Sequence, residues 1–310
     1  MKERVVVLTG GVGGAKLVLG LQQVIDPALI TAVVNTGDDF THLGLRVSPD
    51  IDTLLYTLAG LANAAQGWGR EGESWGFMAA LRGLGGEDWF ALGDGDLALH
   101  VLRTMRLARG DTLSAITADF AQAWDIGITM LPMSDNAVGT HLETDEGVLP
   151  FQRYFVERRC APVVTQVTFE GAAQAAPAPG VIEAILAEET VAILIAPSNP
   201  YLSVDPILAV PGIRAALCAA RAPVVAVSPI VGGDAVKGPT AKLMRELGKP
   251  VSSQAVRAHY GDMLDGMLVD ERDGETGLDI PHRSLDTLML SLDDRVRVAN
   301  AALALAEQLR

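Results

Sequence analysis

Two pairs of aspartates lie close together near the start of this chain. Asp38 and Asp39 sit in Asn35-Thr36-Gly37-Asp38-Asp39, and Asp50 and Asp52 sit in Ser48-Pro49-Asp50-Ile51-Asp52. A hard divalent cation such as magnesium (Mg2+) uses one or two carboxylates, and phosphate oxygens and water complete its octahedron. Asp50 and Asp52 also suit a simpler role as helix-capping acids. A third acidic group follows in Gly93-Asp94-Gly95-Asp96-Leu97-Ala98-Leu99-His100, where capping explains one aspartate more easily than both.

The second chemical signal is Leu8-Thr9-Gly10-Gly11-Val12-Gly13-Gly14-Ala15-Lys16-Leu17. Glycines between a strand and a helix let backbone amides approach a phosphate, and the helix N-terminus adds positive potential. A tight strand-to-helix turn would use the same residues. Lys16 stands where a dinucleotide fingerprint has its third glycine, and Walker-type Gly-Lys-Ser/Thr is missing. Ser134-Asp135-Asn136, Ser198-Asn199 and Ser228–Gly233 supply polar groups able to read a base or ribose, though Ser, Asn and Gly are also ordinary turn formers. Arg46, Lys237 and Lys242 are candidate phosphate partners.

The elements that must place these groups are legible in the apolar pattern. Val5–Leu8, Leu29–Val34, Val191–Ile195 and Val224–Val227 are continuous apolar runs, as in parallel strands covered on both faces. Helical periodicity appears over Ala15–Val24, Asp52–Ala64, Trp75–Leu84, Leu97–Arg109 and Leu113–Trp124, the last behind a Thr112 cap. Short strands are expected at Gly127–Leu131, Thr140–Thr144, Gly147–Gln152 and Val163–Phe169, and one or two helices over Asp286–Arg310. This alternation predicts an α/β fold: a Rossmann-like, doubly wound, mostly parallel sheet. The chain is read as a single α/β domain over 1–310 with an inserted, mainly helical lobe at about 60–160.

Composition narrows the function. The 310 residues are 49% hydrophobic and 20% charged, with a formal charge of −14. That balance suits a large buried core and excludes nucleic-acid polymers as the main partner, because phosphate neutralisation needs a basic surface. The longest apolar runs fall short of a membrane span, and no secretory leader is expected. Two cysteines, Cys160 and Cys218, form no disulfide framework, so a cytoplasmic setting is expected. Asn35 and Lys16 disfavour an ordinary nicotinamide oxidoreductase.

In order, GGVGGAKL, NTGDDF, SPDIDTLLYTLAG, WFALGDGDLALH, LPMSDN, APSNPYLSVDPILAVPGIR and SPIVGGDAVKGPTAKLM resemble the 2-phospho-L-lactate transferase family of coenzyme F-420 biosynthesis. The resemblance implies transfer of a phospho-three-carbon acid from its GDP-activated form to the ribityl hydroxyl of the deazaflavin Fo, with release of GMP. It places Mg2+ on Asp38 and Asp50, and the nucleotide diphosphate on Gly11, Gly13 and Gly14. Ser198 and Asn199 would contact guanine or its ribose, while Asp50 and Asp94 would face Fo. Asp39 is the candidate base. The family pattern Gly-Asp-Arg-Asp has Gly95 in place of its arginine here. A homodimer acting on small molecules is implied. The alternative is a non-catalytic regulator from a related branch, binding a nucleotide-sugar or dinucleotide. The identity of the three-carbon acid is not fixed by these residues.

Overall fold

Seven strands build the central sheet: β1 (Arg4–Thr9), β2 (Ile30–Val34), β3 (Thr129–Pro132), β4 (Thr190–Ile195), β5 (Val224–Val227), β6 (Gly266–Asp270) and β7 (His282–Leu285). Their order is β7-β6-β5-β4-β1-β2-β3, and every neighbouring pair is parallel. The computed structural model describes residues 3–63, 66, 68–236, 238–274 and 277–310. Lys237 lies outside the described residues.

The continuous apolar runs are central strands with helices on both sides. In β1, Val6 and Leu8 enter one core while Val5 and Val7 enter the other. Helix α1 (Gly11–Val24) and the C-terminal helix Leu292–Leu309 cover the second core, and Leu17, Leu21, Val298 and Ala302 are fully buried there. A Cβ on Gly20 would overlap the Arg295 carbonyl, so these two helices meet through bare backbone.

Helix α2 runs Pro49–Leu58, with proline in its first turn, and ends earlier than the periodicity predicts because Gly60 turns the chain at φ 71°. Helices α3 (Gly76–Gly83), α4 (Asp94–Ala108) and α5 (Leu113–Ala123) follow, and Thr112 caps α5 as expected. The segment 60–160 also contains β3, which pairs with β2 at the sheet edge. A separate antiparallel sheet joins Gly139–Thr144, Gly147–Pro150 and Val164–Glu170. Strands β6 and β7 had no counterpart in the sequence reading. The first is only five residues long between Gly266 and Asp270, and the second is largely exposed and polar.

Candidate active site

Ligands of open α/β sheets gather beyond the strand C-termini, where the strand order reverses. Here that point lies between β1 and β4. The two strand ends are laced together: Gly10 N–H donates to Ser198 Oγ at 3.2 Å, and Ser198 Oγ donates to the Gly10 carbonyl at 2.7 Å. A Cβ on Gly14 would overlap Thr9 Oγ1, and one on Gly13 would stand 2.7 Å from the Pro197 carbonyl. Close approach therefore already requires those two glycines. Gly11, at φ 65°, occupies a conformation that disfavours a side chain, and no acidic residue lies in the first turn of α1.

The next strand end brings the aspartates in. Asn35 closes β2, and its Nδ2 donates to Asp50 Oδ2 at 2.9 Å while its Oδ1 accepts Gly37 N–H at 2.8 Å. Asp50 Oδ1 accepts Gly11 N–H at 2.7 Å. The first turn of α2 is thereby fastened to the glycine loop. Asp38 is buried beside it, and its Oδ1 has no hydrogen-bond partner. Asp39 Oδ2 accepts Ser48 Oγ at 2.7 Å, while its Oδ1 is also unpartnered. Burial pushes the Asp39 carboxyl up to about 7 and that of Asp50 to about 6. Burial, with the neighbouring Asp50 charge, holds Asp38 well above the usual carboxylate range. Among the described residues, no three His, Cys, Asp or Glu side chains converge as a metal-ligand set. A site of two carboxylates completed by substrate phosphate and water needs no such set. The unpartnered Asp38 oxygen beside the Asp50 carboxylate fits a divalent cation completed in that way.

A family model described as 2-phospho-L-lactate transferase CofD matches residues 5–302. The chain belongs to this family. It is 43% identical to a phosphoenolpyruvate transferase of Streptomyces coelicolor, over 99% of each chain. It is 41% identical to the phosphoenolpyruvate transferase of Thermobifida fusca, again over 99% of each. A crystal structure of a Bacillus halodurans protein, described as a UPF0052 family member, superposes with TM-score 0.63 at 20% identity, covering 98% of this chain and 99% of that one. That likeness concerns the fold. As a CofD-family member the chain is a transferase of a phospho-acid unit, and the non-catalytic alternative is not favoured.

In this CofD-family chain the remaining sequence candidates divide. Asn199 caps the turn at 200–204, with Oδ1 accepting from Tyr201 and Leu202, and its Nδ2 is buried without a partner. Ser198 spends its hydroxyl on Gly10. Asp94 caps α3: it accepts Ser74 Oγ at 2.6 Å, Gly76 N–H at 2.9 Å and Phe77 N–H at 3.0 Å. Lys242 is engaged by Glu246 and the Pro162 carbonyl. Trp89 and Phe90 pack with Phe40 and His42, and Arg153 lies 4.2 Å above the Trp89 ring. Trp68 and Trp75 stay half exposed.

Arg103 carries a role that the sequence reading did not assign. It is buried, pairs with both Asp52 oxygens, and reaches the Arg46 carbonyl at 3.4 Å. His100 lies between Asp96 at 3.2 Å and Asp52 at 3.7 Å, and Tyr56 donates to Asp96. Asp96, His100 and Arg103 share one face of α4, since they follow at four- and three-residue steps. That spacing was the available signal. This network fixes α4, α2 and an antiparallel hairpin, Phe40–His42 paired with Leu45–Val47, around the Asp39 side of the crevice.

Proposed function

We propose that the chain transfers the enolpyruvyl phosphate moiety from its GDP-activated form to the ribityl hydroxyl of Fo, releasing GMP and forming dehydro-F-420-0. The observation that carries this is the pair of unpartnered buried carboxylate oxygens, on Asp38 and Asp39, beside Asp50 and the glycine loop. Such a crevice suits a diphosphate that arrives with a cation. The choice of enolpyruvyl over phospholactyl rests on the relatives that bear the phosphoenolpyruvate transferase name.

In the proposed reaction the ribityl oxygen attacks the phosphorus that carries the three-carbon acid. The bond from that phosphorus to the bridging oxygen breaks, and GMP leaves with the bond's electron pair. Asp39 Oδ1 takes the hydroxyl proton, in keeping with a carboxyl held near neutrality by burial. Asp38 and Asp50 would hold Mg2+, which when bound neutralises the diphosphate charge. Gly13 and Gly14 would present backbone amides to the diphosphate, while Gly11, whose N–H is held by Asp50, would shape the turn; Ser198 and Asn199 would flank the nucleoside, and Asp94 would border the Fo side. The matching physiological state is a cytoplasmic homodimer acting on small molecules.

The test is a product mass spectrum. Fo is incubated with the chain, Mg2+ and the enolpyruvyl or the phospholactyl GDP-type donor, and GMP is quantified in parallel. Dehydro-F-420-0 with stoichiometric GMP from the enolpyruvyl donor is expected. No Fo-containing product from either donor would end the proposal.

A further inference from the structure

Gly95 lies in the first turn of α4, in a place where a side chain has no room. A Cβ added there would overlap Arg70 Nη1 and stand 2.9 Å from Glu73 Oε1. The Arg70 guanidinium thus fills the space in which a side chain at residue 95 would begin. Arg70 reaches it from a tied-down segment. Ala62 and Arg70 form an antiparallel bridge, Glu71 N–H donates to the Leu61 carbonyl at 2.7 Å, and Leu61 and Ala62 both donate to the Tyr56 carbonyl at the end of α2. Glu73 braces both sides. Its Oε2 accepts Gly95 N–H at 2.6 Å, and its Oε1 lies 3.8 Å from Arg70 Nη1, too far for a hydrogen bond.

The position is electrostatically unusual. The N-terminal end of a helix carries partial positive charge and disfavours a cation. Glu73, Asp94 and Asp96 offset that cost. Even so, Arg70 Nε and Glu73 Oε1 are buried without hydrogen-bond partners; the Glu73 side chain is only 7% exposed, while the Arg70 side chain as a whole is 35% exposed and open to a cleft. A buried guanidinium N–H with no acceptor costs stability that an incoming oxygen would return. The cleft around it is lined by Trp68, Glu73, Trp75, Ala91 and Asp96. Asp96 links that cleft through His100 to Asp52, in the same helical turn as Asp50.

We propose that Arg70 is a substrate-positioning residue whose guanidinium grips an oxyanion of the GDP-activated donor, and that Gly95 is the vacancy that holds it there. The inference rests on the proposed transferase reading. A planar guanidinium fork suits carboxylate and phosphate oxygens alike. The oxyanion can therefore belong to the three-carbon acid or to the diphosphate.

The experiment uses the full chain and the variants Arg70→Ala, Gly95→Ala, Arg70→Ala/Gly95→Ala and Arg70→Ala/Gly95→Arg. Steady-state GMP release gives KM for donor and for Fo, calorimetry gives the Kd of GDP, and thermal melts report folding. Arg70→Ala is expected to raise the donor KM at least tenfold, with KM for Fo within twofold and Tm retained. Weakened GDP binding as well would assign the diphosphate, and unchanged GDP binding would assign the carboxylate. Gly95→Arg should restore part of the loss in the Arg70→Ala background. Gly95→Ala alone should lower Tm and raise the donor KM, but should cost no further Tm when Arg70 is already alanine. An unchanged donor KM in Arg70→Ala, or equal Tm losses from Gly95→Ala with and without Arg70, would overturn the inference. If the wild-type chain binds no donor at all, the transferase reading fails instead, and the melts still report whether the pair is coupled.

Discussion

Asp50 Oδ1 accepts the backbone N–H of Gly11 at 2.7 Å, so one carboxylate of the crevice also pins the glycine loop. Its other oxygen accepts Asn35 Nδ2 at 2.9 Å. An asparagine at position 50 keeps an acceptor for Gly11 and nearly the same shape, removes the charge, and turns an amide NH2 toward Asn35 Nδ2, which loses its acceptor. Burial already opposes that charge in the fold. Asp50→Asn is therefore expected to melt close to wild type, the relief of a buried charge being set against the lost Asn35 bond, while GMP release falls about 100-fold or more, the scale of losing one electrostatic contact in a transition state. Calorimetry and a GMP assay on one preparation read both. A variant that kept its activity would remove Asp50 from the chemistry.

The glycines of the loop should behave differently from one another. Gly14→Ala would drive a methyl into Thr9 Oγ1 and to 3.0 Å from Ser198 Oγ, so about 1–3 kcal/mol of stability should be lost. Gly11 has open space around its Cα, and only its φ of 65° opposes a side chain. Gly11→Ala should cost about 1 kcal/mol. Urea midpoints for the two variants rank them. Equal losses would mean that the close packing of β1 against β4 is not what position 14 requires.

The strands that carry the site were legible because parallel central strands are apolar on both faces, and Val5–Leu8, Val191–Ile195 and Val224–Val227 read that way. The paired aspartates and the glycine loop were legible as chemistry because residue type and position at strand ends suffice to flag them. Hydrogen-bond commitments were not. Sequence cannot tell that Ser198 spends its hydroxyl on Gly10, or that Asp94 caps α3, since both bonds join distant segments. Gly95 was visible as a departure from the family pattern, but its filling by Arg70 depends on the bridge that pairs Arg70 with Ala62. Arg103 was missed because an arginine in an amphipathic helix, like its neighbour Arg106, normally faces solvent.

Arg103 and Asp52 form a buried ion pair, and both side chains are nearly inaccessible. Removing one partner leaves the other charge uncompensated. Arg103→Met alone should cost about 3–5 kcal/mol, whereas Arg103→Met combined with Asp52→Leu should recover most of that stability. The double variant would also lose the tie to the Arg46 carbonyl, so activity should stay low even where stability returns. Denaturant titrations of the four members of the cycle measure the coupling. Additive losses would show that the pair contributes no specific interaction.

The raised carboxyls make stability depend on pH in an unusual direction. Asp39 at about 7, Asp50 at about 6 and Asp38 above its ordinary value all keep protons in the folded chain that they release when unfolded. Where the folded state binds more protons, stability falls as pH rises. The window runs from the unfolded value near 4 up to about 7. Carboxyls held low, among them Asp94, Asp96, Asp270, Asp286 and Asp294, lose their stabilisation as pH falls through the unfolded value near 4, so it is complete only above about pH 5. The protein with chelator present should therefore melt highest near pH 5 and lose on the order of a few kcal/mol by pH 8. Millimolar Mg2+ should restore Tm at pH 8 and have little effect at pH 5, because cation and protons compete for the same oxygens. Asp38→Asn should flatten both trends. A Tm that stays level between pH 4.5 and 8, with no response to Mg2+, would mean that the three carboxylates neither share this crevice's low-dielectric surroundings nor hold the cation.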